Sequence, residues 1–348
     1  MGSQSTKITV VGHGLIGRRH AEIIARTPGL ELCAVVEPIM ENVKDVSKFN
    51  VPIYSSLEDS IKASQPDGVV LATPTPMHLE QGLYCINKGW PLLIEKPITV
   101  SSSDAKVLTD AAITSDIPML VGHHRRHNGM VREAKKALEQ GAIGDIRGVQ
   151  ATCWFYKPDY YFDKAPWRKK KGAGPISVNL VHDVDLLRYF CGDVYSVRAI
   201  SVQSKRGFEN EDLATAILCF ESGTIATISV SDSIVGPWSW ELTSRENPAY
   251  PSTSESCYLI GGSKGGMSLP DLRVWQHEEQ PDWWMPISAK NLTHNMEDPL
   301  VNQMLHFARV IAGKEQPIVS GTEGMKSLQV VEAVAKSAQT GREIKISE

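Results

Sequence analysis

The sequence predicts an α/β fold with a doubly wound parallel sheet in its first part and a large, mostly antiparallel open sheet in its second part. Three observations support this prediction. A glycine-rich turn joins an apolar run to a helix-period segment near the N-terminus. Strand-like and helix-like segments then alternate up to Gly122, as in a parallel sheet covered by helices. Beyond Gly122, several strand-like runs follow one another across short turns, which favours antiparallel pairing.

The glycine-rich turn follows the apolar run 8–11 and has the pattern G-x-G-x-x-G, formed by Gly12, Gly14 and Gly17. The first glycine permits a tight turn, the second lets the backbone approach a pyrophosphate, and the third lets the helix pack on the strand. The following helix would point its first N–H groups at the phosphates. We therefore predict that this turn binds a dinucleotide, and that Leu15 and Ile16 also contact it.

A second apolar strand, residues 32–36, ends on Glu37, about twenty residues after the last glycine, where an acid can accept from ribose hydroxyls. Strand, glycines, helix, strand and acid together indicate a Rossmann unit, and a glycine-rich turn of another α/β protein is the alternative. Glu37 would repel a 2′-phosphate, and residues 38–40 include no arginine or serine. We therefore predict NAD as the cofactor, preferred over NADP, although Arg18 or Lys44 could reach round to a phosphate.

Composition excludes several classes of function. The 348 residues carry a net charge of −4 and no long basic run, so we expect no nucleic-acid partner. Apolar runs are too short for a membrane span, and residues 1–7 lack the apolar core of a secretion signal. Six scattered cysteines without a C-x-x-C pair indicate buried thiols in a reducing compartment. We expect a cytoplasmic protein with no membrane association and no metal site.

The division into domains follows from the change in pattern. We predict a dinucleotide-binding domain over residues 1–123 and a domain for substrate binding and oligomerisation over residues 124–348. The second domain is predicted to contain a helix at 176–190 after a long loop at 156–174. The strands predicted after that helix are 194–204, 213–221, 224–231, 239–243, 256–260, 266–268 and 272–275. Two helices, 300–312 and 322–340, and a strand at 343–346 are predicted to close the chain.

Two segments at the carboxyl ends of predicted parallel strands carry polar groups, and ligands bind at that edge of a sheet. One contains Thr73, Pro74, Thr75 and His78, and we expect it beside the cofactor's phosphates and ribose. The other is Glu95-Lys96-Pro97. Its lysine can touch the nicotinamide ribose and a reacting hydroxyl. The alternatives are a proline-stiffened loop and an ordinary surface lysine.

A third group lies on the predicted helix after Gly174. Asn179, His182 and Asp183 are spaced to share one helix face, and Asp185 lies three residues beyond the histidine. A histidine beside carboxylates is suited to proton transfer near neutral pH. The alternative is a histidine that only makes structural hydrogen bonds.

These motifs resemble the glucose–fructose oxidoreductase and inositol dehydrogenase family, also called Gfo/Idh/MocA. The resemblance covers nearly the whole chain and rests on five features. They are the glycine fingerprint with His20, the T-P-x-P-x-H segment, Glu95-Lys96-Pro97, His182-x-x-Asp185 and the block 298–341. The resemblance implies a Rossmann domain, a second α/β domain, and hydride transfer between a nicotinamide cofactor and a carbon-bound hydroxyl.

The resemblance also assigns roles to individual residues. Lys96 and His182 correspond to the catalytic lysine and histidine, Asp185 to a substrate contact, and Glu95 with Lys96 to the cofactor side. Where the family often has an aspartate four residues before the histidine, this chain has Val178, and the neighbouring Asn179 is polar instead. We therefore expect Asn179 to contact the substrate in a different way.

Two further segments are expected to approach the cleft. The loop 156–174 is rich in aromatic and basic side chains, and residues 124–126 follow the last strand of the first domain. Such side chains suit a polyhydroxylated or carboxylated ligand, although each one alone could be a solvated loop residue. The predicted substrate contacts in these segments are Arg126, Tyr156, Trp167 and Arg168.

The function predicted is oxidation of a sugar, sugar acid or cyclitol hydroxyl, or the reverse reduction, with a small polyhydroxylated substrate as partner. One alternative is a reductase of another ring, dihydrodiol-like or biliverdin-like. The other is a non-catalytic NAD-binding regulator, which the presence of both Lys96 and His182 disfavours. The large sheet has one face that helices of this chain cannot cover, so we expect a homodimer or homotetramer.

Overall fold

The computed structural model describes residues 5–43 and 49–346, which form two compact units. The first unit holds the described residues up to His127 and the later segment Glu297–Leu328. The second unit holds Asn128–Met296 and the described residues after Leu328. Within these ranges, no helix combines the length and the apolar character that a membrane span requires.

The first unit is built on a parallel sheet of six strands, counted over the described residues. Because helices cover both faces, its central strands are almost entirely buried. The strands are β1 Thr6–Val11, β2 Leu30–Val36, β3 Ile53–Tyr54, β4 Gly68–Leu71, β5 Leu92–Ile94 and β6 Met119–Val121. The helices among them are α1 Leu15–Arg26, α2 Leu57–Ser64, α3 His78–Asn87 and α4 Ser102–Thr114.

The strand order in this sheet is β3-β2-β1-β4-β5-β6. The order reverses between β1 and β4, and ligands of doubly wound sheets bind outside the carboxyl ends of the strands at such a reversal. The predicted doubly wound parallel sheet is therefore confirmed, and the glycine-rich turn lies at the edge where a ligand is expected.

The second unit contains nine strands in one sheet, and they run in the order β14-β13-β12-β11-β7-β10-β9-β8-β15 over the described residues. Its strands are β7 Ile146–Trp154, β8 Val194–Gln203, β9 Glu211–Phe220, β10 Ile225–Ser231, β11 Tyr258–Gly262, β12 Gly265–Leu269, β13 Arg273–Gln276, β14 Ser288–Asn291 and β15 Ile344–Lys345. Its helices are α5 Gly129–Glu139, α6 Asp159–Asp163, α7 Pro175–Val178, α8 Leu180–Cys191 and α9 Trp240–Thr243. The prediction of a mostly antiparallel sheet is confirmed, with β7 and β10 as the parallel pair.

One face of this sheet packs on a large apolar core, and the other face is exposed. Burial alternates along the strands, so that Ile217, Thr227, Gln150 and Leu259 lie in register across four strands with exposed side chains. Ile217 and Leu259 are the apolar members of this row, and they are 42% and 52% exposed.

Several elements differ from the sequence prediction. The predicted strand 239–243 is instead a short helix, α9 Trp240–Thr243, and the Ser239 hydroxyl caps it by accepting from Leu242 N at 3.3 Å. The helix predicted at 176–190 is divided at Asn179 into α7 and α8. Strand β14 was not predicted, since its four residues are all exposed and carry no apolar alternation.

Two C-terminal helices, α10 Pro299–Ile311 and α11 Gly321–Thr340, complete the fold. Leu300, Met304 and Phe307 of α10 belong to the apolar core of the first unit. The sequence prediction of two consecutive domains did not include this return of the chain. The periodicity of its apolar residues shows that α10 is amphipathic. It does not show whether the apolar face packs into the core of the first unit or of the second.

Phe307 tests the assignment of α10 to the first unit. Phe307→Ala should lower the free energy of unfolding by roughly 3–5 kcal/mol, because it removes a fully buried ring from that core. Thermal unfolding followed by circular dichroism measures the change. Ile113→Ala on α4 is the matched control, since Ile113 is 67% exposed and its loss should cost less than about 0.5 kcal/mol. Equal midpoints for both variants would contradict the assignment.

Candidate functional site

The three glycines of the N-terminal turn have distinct structural requirements. Gly12 has φ +88°, and a Cβ there would lie 2.7 Å from the carbonyl oxygen of Ala72 at the end of β4. A Cβ on Gly17 would collide with the carbonyl oxygen of Gly12. A Cβ on Gly14 would meet nothing within 4 Å. The protein itself therefore requires the first and third glycines, whereas the space beside the second is open to a ligand.

The start of α1 fits a pyrophosphate. Gly14 is its N-cap residue, the side chain of Leu15 is 94% exposed, and Ile16 is half-buried. The first turn contains no acidic residue that would compete for the N–H groups. Main-chain donors at the positive end of a helix dipole attract anionic groups, so this turn suits the phosphates of a dinucleotide.

Glu37 is held at the end of β2 by main-chain donors. Its carboxylate accepts from His13 N at 2.9 Å and from Ile39 N at 3.0 Å, and only 6% of the residue is exposed. The carboxylate thus joins the glycine turn to the segment after β2. Arg18 donates to the carbonyl oxygens of His13 and Asn42, both at 3.2 Å, whereas Lys44 lies outside the described residues.

The segment after β4 is stiffened by internal hydrogen bonds. The Thr73 hydroxyl donates to Gln81 Oε1 at 2.6 Å, and Pro74 leads into a 3-10 turn that begins at Thr75. The buried His78 ring contacts Thr73 O at 2.9 Å and Pro97 O at 3.1 Å. His78 therefore links the segments that follow β4 and β5. Its predicted contact with the cofactor stays a prediction.

Lys96 lies two residues after the end of β5, and Glu95 between them is fixed in place. The Glu95 carboxylate contacts His20 Nε2 at 2.7 Å and accepts from Lys96 N at 3.2 Å. Burial raises the pKa of Glu95, but the hydrogen bond and electrostatic interaction with His20 prevail and hold that pKa below its ordinary value. A Cβ on Gly122 would lie 2.9 Å from this carboxylate, which explains the glycine at the end of β6.

Arg126 lies inside the first unit. Its guanidinium forms an ion pair with Glu323 at 3.0 Å, and its side chain is almost fully buried. This partner holds α11 against the segment after β6. The sequence prediction of Arg126 as a substrate contact stays untested, and the structure gives it a packing role.

His182 is one of two residues of α8 that are not buried, and Tyr189 is the other. The His182 main-chain N–H donates to Asn179 O at 3.1 Å, so the break between α7 and α8 anchors the start of the histidine's turn. His182 is half-buried, and a histidine side chain is suited to proton transfer near neutral pH.

The two aspartates beside this histidine are both buried. The Tyr258 hydroxyl donates to the Asp183 carboxylate, and Tyr258 belongs to β11 at the centre of the core. Asp183 therefore serves the packing of α8 on the sheet. Asp185 is 1% exposed, and its assignment as a substrate contact stays a prediction.

The loop after β7 carries the remaining predicted contacts. Tyr156 and Trp167 are exposed, whereas Arg168 is half-buried. The Arg168 guanidinium stacks on the Tyr161 ring at 3.9 Å and donates to Tyr161 O at 2.7 Å. Arg168 is thus fixed within the loop.

Lys157 lies in the same loop and is not among the residues predicted to contact a ligand. Its Nζ donates to Asn179 Oδ1 at 2.7 Å, and the residue is buried. The one signal in the sequence is a lysine soon after an apolar strand end, a common arrangement for an exposed residue. The buried side chain contacts Tyr161 of α6 and Asn179 at the end of α7, and the sequence does not show these contacts.

Two family descriptions match consecutive parts of the chain. Residues 6–123 match the oxidoreductase family with an NAD-binding Rossmann fold, and residues 131–268 match the GFO/IDH/MocA C-terminal domain. Together they cover well over half of the sequence. The chain belongs to the GFO/IDH/MocA oxidoreductase family. The predicted resemblance is confirmed, and the first unit is an NAD-binding Rossmann unit.

Relatives of this family member include dehydrogenases of cyclitols. The myo-inositol 2-dehydrogenase of Thermotoga maritima is 24% identical over 98% of this chain and 99% of its own length. The scyllo-inositol 2-dehydrogenase (NADP(+)) IolW of Bacillus subtilis is 24% identical over 97% of this chain and 95% of its own length. The WlbA dehydrogenase of Bordetella pertussis, solved with NADH and UDP-GlcNAcA, has a TM-score of 0.81 and 26% identity over 99% of this chain and 100% of its own.

Gly14 and Gly17 of this family member test the cofactor site separately. Gly14→Ala should leave thermal stability unchanged without cofactor but weaken NADH binding by roughly tenfold or more, since the added methyl enters the space that a pyrophosphate needs. Gly17→Ala should lower thermal stability, because its methyl meets Gly12 O. Fluorescence titration of NADH and a melting curve measure the two effects. Unchanged NADH affinity in Gly14→Ala would show that the phosphates bind elsewhere.

Proposed function

We propose that this oxidoreductase uses NAD to oxidise a secondary hydroxyl of a sugar, sugar acid or cyclitol, or reduces the corresponding carbonyl. The observation that carries the proposal is the position of Lys96. It is a half-buried lysine two residues after the end of β5, at the carboxyl edge of the NAD-binding sheet, and the buried Glu95–His20 pair fixes the residue before it. The names of the relatives support the same substrate class.

The proposed reaction requires one proton transfer for each hydride transfer. NAD, when bound, supplies the hydride acceptor. His182 takes the hydroxyl proton as general base, and the Lys96 ammonium stabilises the negative charge that develops on the oxygen. The partial exposure of His182 on a buried helix and the anchoring of Lys96 by its neighbour support these roles.

Replacing either proposed catalytic residue should slow turnover and leave cofactor binding intact. Lys96→Met or His182→Ala should lower kcat by roughly a hundredfold or more, because proton transfer contributes about that much. A screen of sugars, polyols and sugar acids, followed by absorbance of the reduced cofactor, finds the substrate for this measurement.

Tyr189→Phe is the control for the histidine, since Tyr189 is the other residue of α8 that is not buried. A His182→Ala variant with the wild-type rate and pH profile would make the histidine structural. A protein that binds NAD and oxidises nothing in the screen would favour a regulator.

The preference for NAD over NADP is part of the proposal. The Glu37 carboxylate, fixed by two main-chain donors, would repel a 2′-phosphate beside it. The wild-type protein should bind NADH at least about tenfold more tightly than NADPH, and Glu37→Gln should narrow that ratio. Glu41→Gln, an exposed charge on the next turn, is the control. If the wild-type protein binds NADPH more tightly than NADH, Glu37 does not determine the cofactor preference.

The exposed face of the nine-stranded sheet supports a homodimer or homotetramer. Ile217 and Leu259 lie on that face, and association would bury this apolar surface. Light scattering at micromolar concentration should show an oligomer, and Ile217→Glu should shift it towards monomer because a charge would be buried in the contact. Val107→Glu on exposed α4 should leave the mass unchanged. A monomeric wild-type protein would contradict the prediction.

A further inference from the structure

Lys157 carries a buried ammonium group with little to neutralise it. Only 6% of the residue is exposed. Its Nζ donates to Asn179 Oδ1 at 2.7 Å and lies 5.1 Å from the centre of the Tyr161 ring. Across residues 5–43 and 49–346, the structure places no carboxylate oxygen within ion-pair distance of this group. One neutral oxygen and one aromatic face are thus its direct contacts.

The position of Lys157 follows from the parallel pair in the second sheet. Strands β7 and β10 run in the same direction, so the segments after them leave the sheet at the same edge. Lys157 N donates to Asp232 O at 2.9 Å, and Lys157 O accepts from Arg206 Nη2 at 2.8 Å. The main chain on both sides of the side chain is therefore fixed, and the ammonium is held in one place.

Asp232, whose main-chain oxygen accepts from Lys157 N, is already paired with an arginine. The Asp232 carboxylate accepts from Arg206 Nη1 at 2.9 Å, and both side chains are largely buried. Burial lowers the pKa of Lys157, although the Asp232 charge opposes this effect. A buried cation without a counter-ion is unfavourable, because a protein interior solvates it poorly. An anionic group of a bound ligand would supply the counter-ion that the described residues do not.

Asn179 connects this ammonium to the candidate site. Its side-chain oxygen holds Lys157, and its main-chain oxygen accepts from the N–H of His182. With the oxygen occupied, the amide presents its NH₂ group as a donor. The Lys157 ammonium and the Asn179 amide thus offer a cation and a hydrogen-bond donor, which together are complementary to a carboxylate. Asn179 lies one helix turn from the proposed base, His182.

We propose that Lys157 is a specificity-determining residue that binds a carboxylate of the substrate, so that the substrate is a sugar acid or related hydroxy acid rather than a neutral sugar or cyclitol. This inference rests on the proposed function, because it names the substrate class of the same site. Asn179 orients the ammonium and donates to the same carboxylate.

The test compares binding of matched acid and neutral ligands to the NADH-loaded protein, where no oxidation can occur. Three pairs are D-glucuronate with D-glucose, D-galacturonate with D-galactose, and D-gluconate with D-sorbitol. Isothermal titration should show at least one acid binding more tightly than its neutral partner by roughly thirtyfold or more, the effect of a buried charge pair. No acid preference in any pair would overturn the proposal.

Lys157→Met should abolish this preference while affinity for the neutral partner changes much less. Lys136→Met is the matched control, because Lys136 is an exposed lysine on α5 in the same unit. The ratio of acid to neutral affinity within one variant is insensitive to a general loss of folded protein. A Lys157→Met protein that keeps the acid preference would overturn the assignment.

Asn179→Asp gives a second test that does not depend on removing the lysine. The substitution is nearly isosteric and places a carboxylate at the position of the oxygen that now holds Nζ. The ammonium would then have an internal counter-ion, and the acid preference should disappear while NADH affinity is retained. An unchanged preference in this variant would also overturn the proposal.

Turnover separates this inference from the proposed function. If the protein reduces NAD with neutral polyols and shows no acid preference, carboxylate binding by Lys157 is wrong and the proposed function stands. If the protein binds acids through Lys157 but reduces NAD with none of the sugars, polyols or acids, the proposed function is wrong and the carboxylate-binding site stands.

Discussion

A contact between two backbones sets the geometry of the first unit. Gly17 packs so closely on the carbonyl oxygen of Gly12 that no side chain fits between them, and Gly12 itself turns through φ +88° against the end of β4. This contact determines where α1 starts relative to β1. It therefore determines where the helix presents its N–H groups. The segments after β2, β4 and β5 leave the parallel sheet at the same edge as that start.

The polar groups around this turn act mainly by holding segments together. The Glu37 carboxylate joins the glycine turn to the chain after β2, the His78 ring joins the segments after β4 and β5, and Glu95 joins His20 to the backbone of Lys96. These buried hydrogen bonds fix the edge of the sheet before any ligand arrives. A site that is preorganised in this way loses less entropy on binding.

In the second unit, a parallel strand pair and a break between two helices hold the candidate site residues in place. A single parallel pair, β7 and β10, brings Lys157 and Asp232 to one edge of a sheet whose other pairs are antiparallel. The division of the helix at Asn179 then provides an oxygen for the lysine and an anchor for the turn that carries His182. Asn179 thus contacts both the Lys157 ammonium and the main chain of His182.

The sequence by itself determined the Rossmann unit, because its signals are local: glycines at fixed spacing, an acid at the end of β2, and apolar runs that alternate with helical periodicity. It also determined the positions of Lys96 and His182 on their elements, although their roles are proposals. Only the tertiary structure decided that α10 joins the first core, that Arg126 and Asp183 are engaged in packing, and that Lys157 is buried. These outcomes depend on which segments, distant in sequence, pack together in the fold. The residues adjacent in sequence do not indicate which segments those are. Burial in particular is a property of the assembled layers, so a lysine soon after a strand has the same local sequence whether it is solvated or enclosed.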